Sequence, residues 1–137
     1  LIHVPGGGSR IPASLKMLEE GLQYLKMQGN EVFKYAVRIM VDSAVKTMRS
    51  TGITTDEIDW FIPHQANMRI MDTVAGRLKI PKEKVIITVH KYGNTSAASI
   101  PTALDEAVRS GKIQRGDLIL TSSFGAGFTW GAALFRY

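Results

Sequence analysis

Three short stretches of this sequence carry residue types suited to holding negative charge. "PHQAN" contains His64 and Asn67, "YGNTS" contains Asn94, and "FGAGF" contains Gly125, Ala126 and Gly127. An imidazole N–H (here Nε2 of His64), a side-chain amide NH₂ and the backbone N–H groups of a glycine turn are all neutral donors. Aimed at one point, such donors stabilise the oxyanion that develops on a carbonyl or thioester oxygen, without a metal. Singly, each stretch also fits a plainer role: a structural histidine after a strand, a turn asparagine and a hairpin turn. Metal-ligand spacing is absent, because His3, His64 and His90 lie far apart and the chain has no cysteine. The same lack of cysteine excludes a disulfide, and no thiol of this chain serves as nucleophile.

The elements around these stretches decide whether they converge. From Glu31 to Met48 apolar residues recur in pairs four apart (Val32/Phe33, Ala36/Val37, Met40/Val41, Ala44/Val45), which predicts a helix with a wide buried stripe. Asn30 is the expected N-cap, and Gly52 stands where a helix-ending glycine belongs. Thr54 and Glu57 have capping-box spacing. "DWFIP", 59–63, reads as a buried strand, 66–79 as a second helix, and the β-branched "KVIITV", 84–89, as another strand. A third helix is expected around Pro101, ending at Gly111, with its small-residue start "NTSAAS" packed close to something. Residues 117–124 and 130–137 read as two strands joined by a tight turn, and 23–27, "QYLKM", as a short first strand.

The resulting order is β-α-β-α-β-α-β-β. It predicts an α/β unit: a five-stranded, mostly parallel sheet with one antiparallel edge strand and helices on both faces. In a parallel sheet the three donor-bearing loops open on one edge, so a histidine, an amide and a glycine turn are expected to meet there.

The bulk numbers agree with one ordinary domain. The 137 residues are 45% hydrophobic and 21% charged, enough for a core. No apolar run is long enough for a membrane span. With no signal-peptide layout, the cytoplasm is the expected compartment. The net charge of +5 is dispersed, without a basic block or interleaved aromatics, so nucleic acid is a poor fit and a small acidic or phosphorylated partner a better one. The chain opens on a Gly-rich loop, "LIHVPGGGSR", without an initiating methionine, and is expected to be a piece of a longer polypeptide.

"MQGNEVFKYAV", "IDWFIPHQANMRI", "KYGNTSAASIPTALDEAV" and "SSFGAGFTWGAAL" together resemble the C-terminal half of β-ketoacyl-acyl-carrier-protein synthase III. The resemblance covers residues 23–137, with 1–22 similar to the loop that precedes this half. It implies a thiolase fold and a homodimer. The implied activity is the condensation that starts type II fatty acid synthesis, from an acyl-CoA primer and malonyl-acyl-carrier-protein, with no cofactor. The implied machinery is a Cys-His-Asn triad. His64 and Asn94 match the last two members, and the cysteine belongs to an N-terminal half that this chain lacks. Ala126 matches a backbone donor to the acyl oxyanion, where the family often has glycine. Met27, Gly29, Phe33 and Asn67 match positions along the pantetheine or acyl channel. Lys34, Arg69 and Arg77 match the basic face that meets the carrier protein. Two other readings are a non-catalytic acyl-CoA or carrier-protein binding module, and a related condensing enzyme of secondary metabolism.

Overall fold

A computed structural model describes residues 2–137. The elements run β1 (Ile2–His3), α1 (Leu15–Glu19), β2 (Lys26–Met27), α2 (Gly29–Thr51), β3 (Trp60–Pro63), α3 (Met68–Leu78), α4 (Val89–Tyr92), α5 (Ser99–Arg109), β4 (Leu118–Gly125) and β5 (Thr129–Arg136). β4 is the middle strand of the main sheet, parallel to β3 and antiparallel to β5. β1 and β2 form a separate antiparallel pair.

The sheet lies between two helical layers because its strands are apolar on both faces. Phe61, Leu118 and Leu120 point into a cluster with Ala36, Met40 and Val74 of α2 and α3. Ile62 and Ile119 point the other way, against Ala103 and Ala107 of α5. Phe61, Ile62, Ile119 and Leu120 are completely buried, and such burial contributes roughly 1.5–3 kcal/mol per side chain. The stripe of α2 faces the sheet as its four-residue spacing predicts, with Val32, Ala36, Val37, Met40, Ala44 and Met48 buried.

Polar contacts fix register inside this core. Ser122 Oγ of β4 donates to the Met40 carbonyl at 2.9 Å, tying the central strand to α2. Asp59 N donates to the Leu118 carbonyl, and Leu118 N donates back to Asp59 Oδ2 at 2.7 Å, which sets β3 against β4. The Thr54–Glu57 capping box forms, with Thr54 N and Oγ1 both donating to Glu57 Oε2 at 2.8 Å. Those bonds hold the Glu57 carboxyl below the usual carboxylate range.

Four expectations need correction. The main sheet has three strands, not five. Residues 84–89 meet β3 through one parallel bridge, Phe61 to Val85, and then leave the ladder to enter α4. Of "QYLKM" only Lys26–Met27 is extended, paired with Ile2–His3 away from the main sheet. α2 starts at Gly29, so Asn30 lies in its first turn, and the capping position falls to Gln28 without a side-chain bond. In addition, residues 1–22, expected as loop, carry β1 and α1.

Candidate active site

β3 ends at Pro63, and the next residue turns out of the sheet while staying in the core. His64 N donates to the Ser122 carbonyl at 2.8 Å, which continues the β3–β4 pairing by one residue. The imidazole is only 8% exposed and packs edge-to-face on Phe124 of β4, ring centres 5.8 Å apart. Among the described residues no group hydrogen-bonds the ring. Burial alone pushes its pKa below the ordinary 6.5, because charging it here forfeits hydration. The ring is therefore a neutral imidazole at pH 7, with an N–H to offer.

Asn94 is held by its own turn. Its Oδ1 accepts from Ser96 N at 3.0 Å, an Asx turn, and among the described residues the two hydrogens of Nδ2 have no partner. The preceding residue, Gly93, has φ 70° and ψ −162°, a region open essentially only to glycine. This backbone ends α4 and swings the chain to place Asn94 at the sheet edge.

The turn between β4 and β5 supplies the third group. Gly125 is extended and Gly127 takes the left-handed φ of 75°. Ala126 is not among the residues of positive φ, so alanine stands there without strain and its N–H is kept. The conformational demand of "GAG" falls on its second glycine.

His64, Asn94 and Ala126 line one cleft of about 590 Å³. The three loops expected to meet therefore share one cleft. Ser96, Ser123 and Thr129 add hydroxyls to the same wall, and Ile2, Phe124 and Trp130 make it partly apolar. Ile2 comes from β1, inside a segment expected to be loop; nothing in its sequence signals a place in the cleft.

The other expected residues lie elsewhere. Asn67 caps α3, its Oδ1 accepting from Ile70 N at 3.0 Å, and does not line the cleft. Met27 is 58% exposed beside β1. Gly29 opens α2 at the surface. Phe33 and Arg69 meet, the guanidinium 4.5 Å from the ring centre, so a residue expected in the channel and one expected on the basic face share one site. Lys34 pairs with Glu31 at 3.0 Å, and Arg77 is exposed in the last turn of α3.

One residue of "PHQAN" that carried no expectation is Gln65. It is 1% exposed, and both ends of its amide are engaged by backbone. The sequence offers only an uncharged polar residue two positions beyond a continuously apolar strand, with nothing to point to its distant partners.

Comparison with known proteins finds relatives along most of the chain. A family model described as the C terminal of 3-oxoacyl-[acyl-carrier-protein (ACP)] synthase III matches residues 48–137. The beta-ketoacyl-[acyl-carrier-protein] synthase III of Symbiobacterium thermophilum is 48% identical over 136 residues, 99% of this chain and 41% of that protein. The crystal structure of 3-oxoacyl-[acyl-carrier-protein] synthase III from Aquifex aeolicus VF5 matches 84% of this chain and 37% of its own. Its TM-score is 0.82 and its identity 52%. The corresponding structure from Thermus thermophilus covers 99% of this chain and 41% of its own, with a TM-score of 0.86 and 44% identity. The chain thus spans about two fifths of the length of the relatives it matches.

Proposed function

The chain belongs to the 3-oxoacyl-[acyl-carrier-protein] synthase III family, in its C-terminal part, and on that premise we propose that it supplies the decarboxylating side of an initiating condensing site. The substrates are an acyl-CoA primer and malonyl-acyl-carrier-protein. A cysteine in the preceding part of the enzyme takes the acyl group as a thioester.

The observation that carries this reading is the placing of two neutral side-chain donors, His64 and Asn94, on one cleft with the Ala126 turn. When the malonyl carboxylate leaves as CO₂, the electron pair of the broken C–C bond flows toward the thioester oxygen. His64 N–H and Asn94 Nδ2–H hydrogen-bond that oxygen and stabilise the enolate. Its α-carbon then attacks the acyl thioester. The new oxyanion accepts from a backbone N–H of the 125–127 turn, and collapse returns the cysteine thiolate. A neutral imidazole suits this role, since a buried cation would have to be desolvated first; burial supplies that neutrality.

The partners follow from the same reading. Arg69, Lys34 and Arg77 form the basic rim for an acidic carrier protein. The exposed run Lys91–Ala98 is the surface that the N-terminal half covers, with two such enzymes forming a homodimer.

Two assays on the whole enzyme test the assignment: transfer of labelled acetyl to the protein, and CO₂ release from malonyl-acyl-carrier-protein. Asn94→Ala is expected to cut CO₂ release by about 10²–10³, the usual effect of losing one oxyanion donor, and to leave acetyl transfer nearly intact. Loss of acetyl transfer with CO₂ release preserved would reverse the assignment.

A further inference from the structure

Gln65 sits at the join between the two halves of the donor pair. Its Nε2 donates to the Pro63 carbonyl at 2.8 Å and to the Ile86 carbonyl at 3.2 Å. Its Oε1 accepts from Thr88 N at 2.8 Å and Val89 N at 3.1 Å. Carbonyls only accept and backbone N–H groups only donate, so the partners fix which end of the amide is which. All four hydrogen-bonding positions are filled, in a side chain 1% exposed.

These four partners belong to two segments. Pro63 closes β3, one residue before His64. Ile86, Thr88 and Val89 belong to the segment that leaves β3 after the Val85 bridge and enters α4. After Ile86 N, which donates to the Phe61 carbonyl, Thr88 N is the donor with which a ladder would have continued, had residues 84–89 stayed in the sheet. The amide replaces that ladder. It ends strand pairing and turns the chain into α4, whose last residue precedes Gly93 and Asn94.

We infer that Gln65 is a positioning residue for the condensing reaction, its buried amide setting the separation of His64 and Asn94 by clamping the start of α4 to the end of β3. The inference rests on the pair reading given above and adds a residue that touches no substrate. Among the described residues, the other side-chain hydrogen bonds that tie α4 to a distant element are at the surface: Lys91 Nζ and Tyr92 Oη both donate to Glu106 Oε2, at 2.8 and 2.5 Å. A tie exposed to water holds position less firmly than a buried one.

The test uses the whole enzyme, assayed well below its unfolding temperature. Gln65→Leu keeps the volume and removes all four bonds. It is expected to lower kcat for CO₂ release by about 10–100-fold, the scale of effect of a misplacement near 1 Å. Acetyl transfer and the KM for malonyl-acyl-carrier-protein should change by less than about threefold, since neither depends on the spacing of the pair. Amide hydrogen exchange at Thr88 and Val89 should quicken. Gln65→Glu is isosteric and, with burial and two facing carbonyl oxygens disfavouring its charge, is expected to sit there as the neutral acid, which keeps the acceptor side and one of the two donors. It should fall between wild type and Gln65→Leu, and it carries the test if the leucine variant does not fold.

The decisive readout is the double variant. If Gln65 acts through Asn94, then Gln65→Leu combined with Asn94→Ala costs no more than Asn94→Ala alone, within about threefold. A merely structural role predicts that the two losses multiply, and that result overturns the inference. So does a folded Gln65→Leu or Gln65→Glu enzyme with unchanged CO₂ release while Asn94→Ala is impaired; in that case the pair reading stands and only the clamp falls. If Asn94→Ala and His64→Ala are themselves silent, both fall together.

Discussion

His64 and Asn94 line one cleft, yet the chain holds them in opposite ways. His64 is part of the core: its N–H extends the β3–β4 ladder, Phe124 packs on its ring, and little of it meets water. Asn94 lies in a run, Lys91–Ala98, in which every residue is exposed, and its turn is set by its own side-chain oxygen on Ser96 N and by the backbone of Gly93. One donor is placed by burial and the other by local chain geometry. The difference separates what each contributes to stability from what each contributes to chemistry.

Stability gives the largest expected contrast. His64→Ala in the whole enzyme leaves a void beside Phe124 and is expected to cost about 1–3 kcal/mol in urea unfolding. Asn94→Ala removes one exposed turn bond and should cost about 1 kcal/mol or less. Equal costs would break the comparison and make Asn94 a structural residue.

Backbone substitutions sharpen it next. Gly93→Ala forces a side chain into a conformation only glycine adopts freely, at about 1–3 kcal/mol. It should also slow CO₂ release by moving Asn94. Gly127→Ala needs only the left-handed region and should cost about 1 kcal/mol, with a smaller effect on rate. The reverse ranking would show that the β4–β5 turn, not the Gly93 corner, governs the cleft.

The smallest expected effect is on pH dependence. Burial lowers the folded-state pKa of His64 below its ordinary 6.5. The unfolded chain therefore binds the proton first, so the stabilisation is fully present above pH 6.5 and declines as pH falls toward the lowered value. His64→Gln should flatten that part of a plot of unfolding midpoint against pH. An unchanged slope would show that the imidazole is less desolvated than its burial suggests.

Much of this was legible in the sequence. The stripe of α2, the two-faced apolar strands β3 and β4, the helix at 68–78 and the final hairpin all follow from period and punctuation. The meeting of the 64 and 125–127 loops also follows, because parallel β3 and β4 put their ends together, whereas Asn94 reaches the same edge from the end of α4 and not from a strand. The five-stranded sheet did not survive. "KVIITV" is β-branched and half-buried, which is what such composition reports; it does not report whether the neighbouring donors are backbone or a glutamine side chain. Gln65 takes the place of the ladder, and a side chain reaching across 21 and more residues leaves no local trace. Asn67 shows the converse. The resemblance matched it to a channel position, while in the structure its oxygen accepts from Ile70 N in the first turn of α3.

The 125–128 turn also governs the order of events in time. It closes the β4–β5 hairpin between neighbouring stretches of chain, whereas β3 must find β4 across the whole α3–α5 excursion, Trp60 pairing with Ile119. Local hairpins form in about 1–10 μs, while pairings of high sequence separation first bear the entropy of closing a long loop. The wall that carries Ala126 is thus expected to exist before His64 is delivered to it, and synthesis runs the other way, with β3 leaving the ribosome long before its partner. Until residues 118–136 have emerged, the apolar β3 waits without its β4 partner, so the assembly of this cleft in a nascent chain is expected to follow the arrival of that hairpin.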